Sequence, residues 1–212
     1  MDEQDLKSCT AFKGSHRVAS GNLLKVARKV KEIIDRDEHA SILIFDDFTS
    51  DLVEVDFRGT MEDVLKRLEK PTAGVGSATT PSNTDQRSQR RPGRPKLGVV
   101  SREVTLLPRH WDWLNSQPGG ASVALRKLVE EARRVNSGKD KVRHSQEVAY
   151  RFMSAMAGNF PGFEEATRAL FAGDPGRFDS LVASWSVDIR DHARKLAEAA
   201  FQNRVCGEGG LK

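Results

Sequence analysis

The run Arg102–Arg134, REVTLLPRHWDWLNSQPGGASVALRKLVEEARR, constrains this chain more than any other stretch. Ser101, Glu103 and Thr105 alternate with Val100, Val104 and Leu106, and Arg102 interrupts the second set, so Val100 to Leu107 is predicted to be a strand with one mostly apolar face. Pro108 fits the first helical position, where its missing N–H costs nothing. Trp111 and Leu114 share a helix face, and Pro118-Gly119-Gly120 ends that helix. Ser122 is expected to cap a second helix, whose apolar Leu125, Leu128, Val129 and Ala132 repeat at i, i+3, i+4 and i+7. Trp111 and Trp113 are expected to pack rather than to stack on a ligand. A unit of this size buries too little apolar surface to fold alone, so its faces must meet the rest of the chain or a second copy.

The charge is uneven along the 212 residues. The chain carries a net +4, but residues 87–134 hold eleven Lys/Arg against four Asp/Glu, whereas residues 1–70 hold twelve against fifteen. A local +7 points to a polyanionic partner or to a solvated basic linker, and charge alone leaves both open. No window reaches 18 apolar residues, and MDEQDLKSC is polar and acidic, so neither a membrane span nor an export signal is expected. Cys9 and Cys206 lack metal-ligand spacing and read as reduced thiols, consistent with a bacterial-type cytoplasm.

Residues 8–69 read as a small ββαββα module. Lys13-Gly14-Ser15-His16 is a hairpin turn between two strands, Ser8–Phe12 and Arg17–Ser20. Asn22 caps a helix with Leu23, Val26, Ala27, Val30, Ile33 and Ile34 on one face. Ser41–Phe45 is a buried strand, while Val53, Val55 and Phe57 alternate with Glu54, Asp56 and Arg58 as a half-exposed one. Thr60 and Asp63 make a capping box before a closing helix. Asp46-Asp47 has the chemistry of a divalent-cation site, but Phe48-Thr49-Ser50-Asp51 continues as turn residues, so a polar turn is expected. His16 and His39 sit in turns and receive no role.

Residues 70–98 are rich in Pro, Gly, Ser and Thr without apolar periodicity and read as a flexible linker. Its end, Arg90-Arg91-Pro92-Gly93-Arg94-Pro95-Lys96, resembles an AT-hook, in which a Gly-Arg-Pro core lies along the narrow minor groove of A·T-rich DNA. That resemblance implies DNA contacts from Arg90, Arg91, Gly93, Arg94 and Lys96. Pro92 stands where the arginine preceding the glycine belongs.

The central unit, residues 99–135, resembles a ribbon-helix-helix domain on its Leu-Pro step into the first helix and its Gly120-Ala121-Ser122 entry to the second. The resemblance implies a homodimer whose paired strands enter the major groove, with the second helix's N-terminus donating backbone N–H groups to a phosphate. The base readers would then be Ser101, Glu103 and Thr105, and the phosphate clamp Gly120, Ala121 and Ser122. The alternative register presents Arg102, Val104 and Leu106. Glu103 departs from the pattern, because a carboxylate accepts only from a cytosine amino group and repels phosphate.

Residues 141–202 are helical in pattern, with stripes at Ala149, Phe152, Met153 and Met156; at Phe163, Ala166, Leu170 and Phe171; at Phe178, Leu181 and Val182; and at Ile189, Ala193, Leu196, Ala197 and Ala200. Asp174-Pro175 starts one of these helices, and His192 is read as an ordinary helix histidine. The tail Cys206–Lys212 is expected to fray. The phrases LIFDD, GRPKLGVVSREVTLLPRHWDWL, QPGGASVALRKLVEEAR and AYRFMSAMAGNFPGFEEATRALFAGD resemble, from end to end, a bacterial family without an assigned function.

The expected fold class is therefore α+β: an N-terminal ββαββα module, a basic linker, a ribbon-helix-helix-like unit and an all-α C-terminal region. The chain contains no G-x-S-x-G, H-E-x-x-H, phosphate-binding loop, dinucleotide fingerprint or C-x-x-C, so no enzyme, cofactor or metal is predicted. The expected function is DNA-binding regulation by a homodimer. The alternative is an antitoxin-like or scaffold module in which the central unit only dimerises and the C-terminal helices grip a protein partner.

Overall fold

A computed structural model of the protein describes residues 7–37, 39–69 and 102–202. The linker 70–98, the Arg90–Lys96 arm, Val100, Ser101 and the tail from Cys206 lie outside the described residues. The fold is α+β, with one three-stranded antiparallel sheet at the N-terminus and seven helices among the described residues. Two compact units form: one joins the described residues up to Glu69 with those from Val135 on, and the other holds Arg102 to Arg134.

In the first unit, β1 (Ser8–Lys13) is the central strand, flanked by β2 (His16–Asn22) and β3 (Ile42–Asp46). Its period-two alternation sends Cys9 and Ala11 to one face and Phe12 to the other. On the first face lies α1 (Leu23–Arg36), with Val26 and Val30 packed against Cys9, Ala11 and Ile44. Asn22 caps α1 as expected, its Oδ1 accepting from the Lys25 N–H at 2.8 Å. Thr60 and Asp63 form the anticipated capping box before α2 (Met61–Glu69), each side chain accepting from the other's backbone N–H.

In this unit the expected fourth strand does not form. Leu52 makes a single bridge with Phe45, and the Val53 N–H donates to the Ile44 carbonyl, after which the ladder stops. Val53, Val55 and Phe57 still turn inward and Glu54, Asp56 and Arg58 outward, because the side-chain pattern is satisfied by packing beside α1 rather than by backbone pairing.

The sheet's other face shares a core with the C-terminal helices. Phe12 and Phe45 contact Phe152, and the same cluster takes in Ala149, Met153, Leu170, Phe178, Val182, Trp185, Ile189 and Ala197. These come from α4 (Gly120–Ala157), α5 (Phe163–Ala172), α6 (Pro175–Val182), α7 (Val187–Phe201) and, for Trp185, the turn between α6 and α7. The buried Ser145 hydroxyl bridges the Leu196 carbonyl and the Ala200 N–H, tying α4 to α7. Gly173, at φ 67°, closes α5, and Asp174 caps α6 through the Arg177 N–H. Phe171 departs from its predicted stripe: it lies half-exposed against Tyr150, with ring centroids 5.8 Å apart.

In the second unit, α3 (Pro108–Ser116) begins at Pro108 as predicted. Gly119 and Gly120, at φ 87° and 73°, make the turn into α4. A Cβ at Gly119 would also meet Val123 at 3.2 Å, so this turn requires glycine for both conformation and space. Helix α4 then continues without a break through residues 135–141, where the sequence suggests separate regions. Asn136-Ser137-Gly138 is a weak helix stretch, but long helical segments on both sides and i, i+3 pairs such as Arg143 with Asp140 carry the helix through.

Candidate functional site

Leu114 and Ala124 are the buried apolar residues of the second unit. Leu106, Val123 and Leu125 are half-buried, whereas Val104, Leu107, Trp111, Trp113, Leu128 and Val129 are each between 36% and 56% exposed. Trp111 and Trp113 are thus only partly covered within the single chain. So much open apolar surface on so small a unit is unusual for a monomer.

Of the predicted readers, Glu103 and Thr105 are exposed, as is Arg102 of the alternative register. Residues 102–107 do not form the expected strand: a strand needs a ladder partner, and none is present for this segment among the described residues. Ser101 and the arm residues Arg90, Arg91, Gly93, Arg94 and Lys96 lie outside the described residues.

The expected phosphate clamp is only partly available. Helix α4 begins at Gly120, so Ser122 lies within its first turn rather than at the cap. The Gly120 N–H already donates to the Gln117 carbonyl at 2.9 Å, which closes the turn. Ala121 and Ser122 keep first-turn N–H groups that have no partner inside a helix. Arg126 reaches back to the Ser122 carbonyl and hydroxyl, placing a guanidinium beside them. Lower on the helix, Arg133 pairs with Glu130 and Arg134 with Glu131, so much of the local positive charge is balanced.

A second built locus, in the first unit, is the turn Asp46–Asp51. Asp46 Oδ1 accepts from the N–H groups of Phe48 and Thr49, which makes it the turn's own cap. Asp47 accepts from the hydroxyls of Thr10, at 2.6 Å, and Ser8, at 2.9 Å, with Lys195 Nζ 3.7 Å away. Both carboxylates are engaged by protein groups. Ser50 adopts φ 54°, and its buried hydroxyl has no hydrogen-bond partner. From α4, Arg151 donates to the Thr49 carbonyl and to Asp51, while His144 bonds the Phe48 carbonyl and stacks at 4.6 Å from its ring.

Behind this turn, His192 is buried between Phe12 and Phe152, and burial pushes its pKa down to about 4. Its Nε2 has no hydrogen-bond partner. Cys9 is buried beside Asp46 and Asp47, and desolvation with these charges pushes its thiol up to about 11. Neither the clamping of the turn by α4 nor the burial of His192 shows as a motif, since both depend on contacts distant in sequence.

The family DUF2239, described as an uncharacterized protein conserved in bacteria, matches residues 8–197. The chain belongs to this family. No curated protein and no solved structure matches it. The DUF2239 match begins at the first residue of β1 and ends within α7, so it spans the sheet, the Asp46–Asp51 turn and the open face of the second unit. In this DUF2239 chain, no described group of three or more His, Cys, Asp and Glu residues could hold a metal ion. Among the described residues, no helix is long and apolar enough to cross a membrane.

Proposed function

We propose that this protein is a DNA-binding regulator that works as a homodimer through the unit Arg102–Arg134. The observation that carries the proposal is the set of exposed apolar side chains Val104, Leu107, Trp111, Leu128 and Val129, together with the strand-patterned segment 102–107, which has no ladder partner among the described residues. A second copy satisfies both at once. Two segments related by a two-fold axis supply each other's ladder, and the two apolar faces cover each other. Paired in this way, the segments become the ribbon that the ribbon-helix-helix resemblance implies, with Glu103 and Thr105 on its outer face.

Electrostatics places most of the DNA affinity on the arm. Between Arg102 and Arg134, six Lys/Arg face four Asp/Glu, whereas residues 87–101 add five Lys/Arg and no acid. The Gly93-Arg94-Pro95 core suits the narrow minor groove, and the N–H groups of Ala121 and Ser122 suit a phosphate. Glu103 favours a second reading, in which the dimer forms but the ribbon reads no bases and the helical region binds a protein.

Light scattering on the full chain separates the steps. The wild type is expected to be a dimer, and Leu128→Asp with Val129→Asp a monomer that binds duplex DNA more weakly. A wild-type monomer would overturn both readings. A dimer without DNA affinity would leave the protein-binding one.

A further inference from the structure

We propose that the groove between β2 and α1, in the first unit, is a docking surface for an extended acidic peptide segment. The groove has a volume of about 690 Å³ and is lined by Val18, Ala19 and Ser20 from the strand and by Leu24, Lys25 and Arg28 from the helix. The sheet order β2-β1-β3 puts β2 at an edge.

The hydrogen bonds fix which backbone groups face that edge. The Leu23 N–H donates to the Lys7 carbonyl, and the Asp47 N–H to the Ser8 carbonyl. Lys7, Cys9 and Ala11 therefore bond toward β2, and Ser8 and Thr10 toward β3. Gly21 and Ala19, the register partners of Cys9 and Ala11, turn their backbone groups inward, so the N–H and C=O of Ser20 turn outward along the groove. At the opposite sheet edge, the Val53 N–H already takes the Ile44 carbonyl. Near the start of β2, Asp188 takes the Arg17 N–H. The stretch around Ser20 therefore offers outward backbone groups to a further strand.

The helix wall sets the charge of the guest. Lys25 and Arg28 make no ion pair among the described residues, while Lys29 is neutralised by Glu32 at 3.0 Å. Gly21, at φ 139°, lies beside the Lys25 stem, where a Cβ would come into ordinary contact with Lys25 Cδ at 3.4 Å. The strand wall is small and partly apolar, which suits alternate short side chains of an extended peptide. No aromatic side chain lines the groove, so single-stranded nucleic acid would find no stacking platform.

The test uses the full chain and a fluorescein-labelled peptide of alternating glutamate and valine, followed by anisotropy. Saturable binding is expected. Lys25→Glu with Arg28→Glu should weaken it by about tenfold or more, because the contact is charge-matched. Ser20→Pro should do the same by removing the outward N–H, whereas Ser20→Ala should not. Backbone N-methylation at alternate peptide positions, which leaves the protein untouched, should also abolish binding. The proposal is overturned by no saturation up to about 1 mM, by equal binding of a lysine-valine peptide, by indifference to N-methylation, or by preferential binding of a single-stranded oligonucleotide to the same residues.

Discussion

Phe12 in β1 and Phe152 in α4 meet in the core with ring centroids 5.4 Å apart, 140 positions apart in sequence. The contact makes the N-terminal sheet and the C-terminal helices one packed body. Phe152→Ala removes a fully buried ring that also touches Phe45 and His192, and should cost about 3–5 kcal/mol. Denaturant unfolding followed by probes in β1 and in α7 should show one coincident, shifted transition. Separate transitions would mean that the shared core does not couple the two ends.

Acid should weaken the fold through His192. Its pKa falls from 6.5 to about 4 on folding, because burial disfavours the charged ring. The unfolded chain therefore binds the proton more readily, so stability is full above pH 6.5 and declines as pH falls toward 4. The loss over that window amounts to about 3 kcal/mol. His192→Leu should flatten this part of the stability–pH curve, and an unchanged slope would refute the assignment.

Cys9 should be inert in the native state. Its burial and raised pKa keep the thiolate scarce at neutral pH. In a Cys206→Ser background, thiol labelling at pH 8 should proceed only at the rate of unfolding. Rapid stoichiometric labelling under native conditions would contradict the packing of β1 against α1.

Ser50 should be better as glycine. Its left-handed backbone strains an L-residue by about 1–2 kcal/mol, and its hydroxyl is buried without a partner. Ser50→Gly is expected to be neutral or to stabilise by up to about 1 kcal/mol. A large destabilisation, measured by thermal unfolding, would mean that the hydroxyl holds the turn.

What the sequence made legible was local. The faces of α1 and α7, the caps at Asn22, Thr60 and Asp174, and the proline start of α3 all follow from spacing of three or four residues and from the side chains that cap helix ends. What remained hidden was non-local. Phe12 and Phe45 carry no mark that says which helix will cover them. Asn136-Ser137-Gly138 looks like a break, yet lies inside α4. In the candidate interface, the Gly-Gly turn was readable, but the loss of the Gly120 N–H to Gln117 was not, since it depends on how tightly the turn closes. The alternation over 100–107 fits a half-covered strand but does not say which chain provides the cover.

The arm should carry the salt dependence of DNA binding. The most direct measurement is the affinity of the full chain for an A·T-rich duplex across a salt series, with wild type beside Arg91→Ala and Arg94→Ala. The logarithm of the binding constant should fall linearly with the logarithm of salt concentration, and each substitution should reduce the slope by about one. Absence of duplex binding at low salt, or an affinity that does not change with salt, would contradict the proposed function.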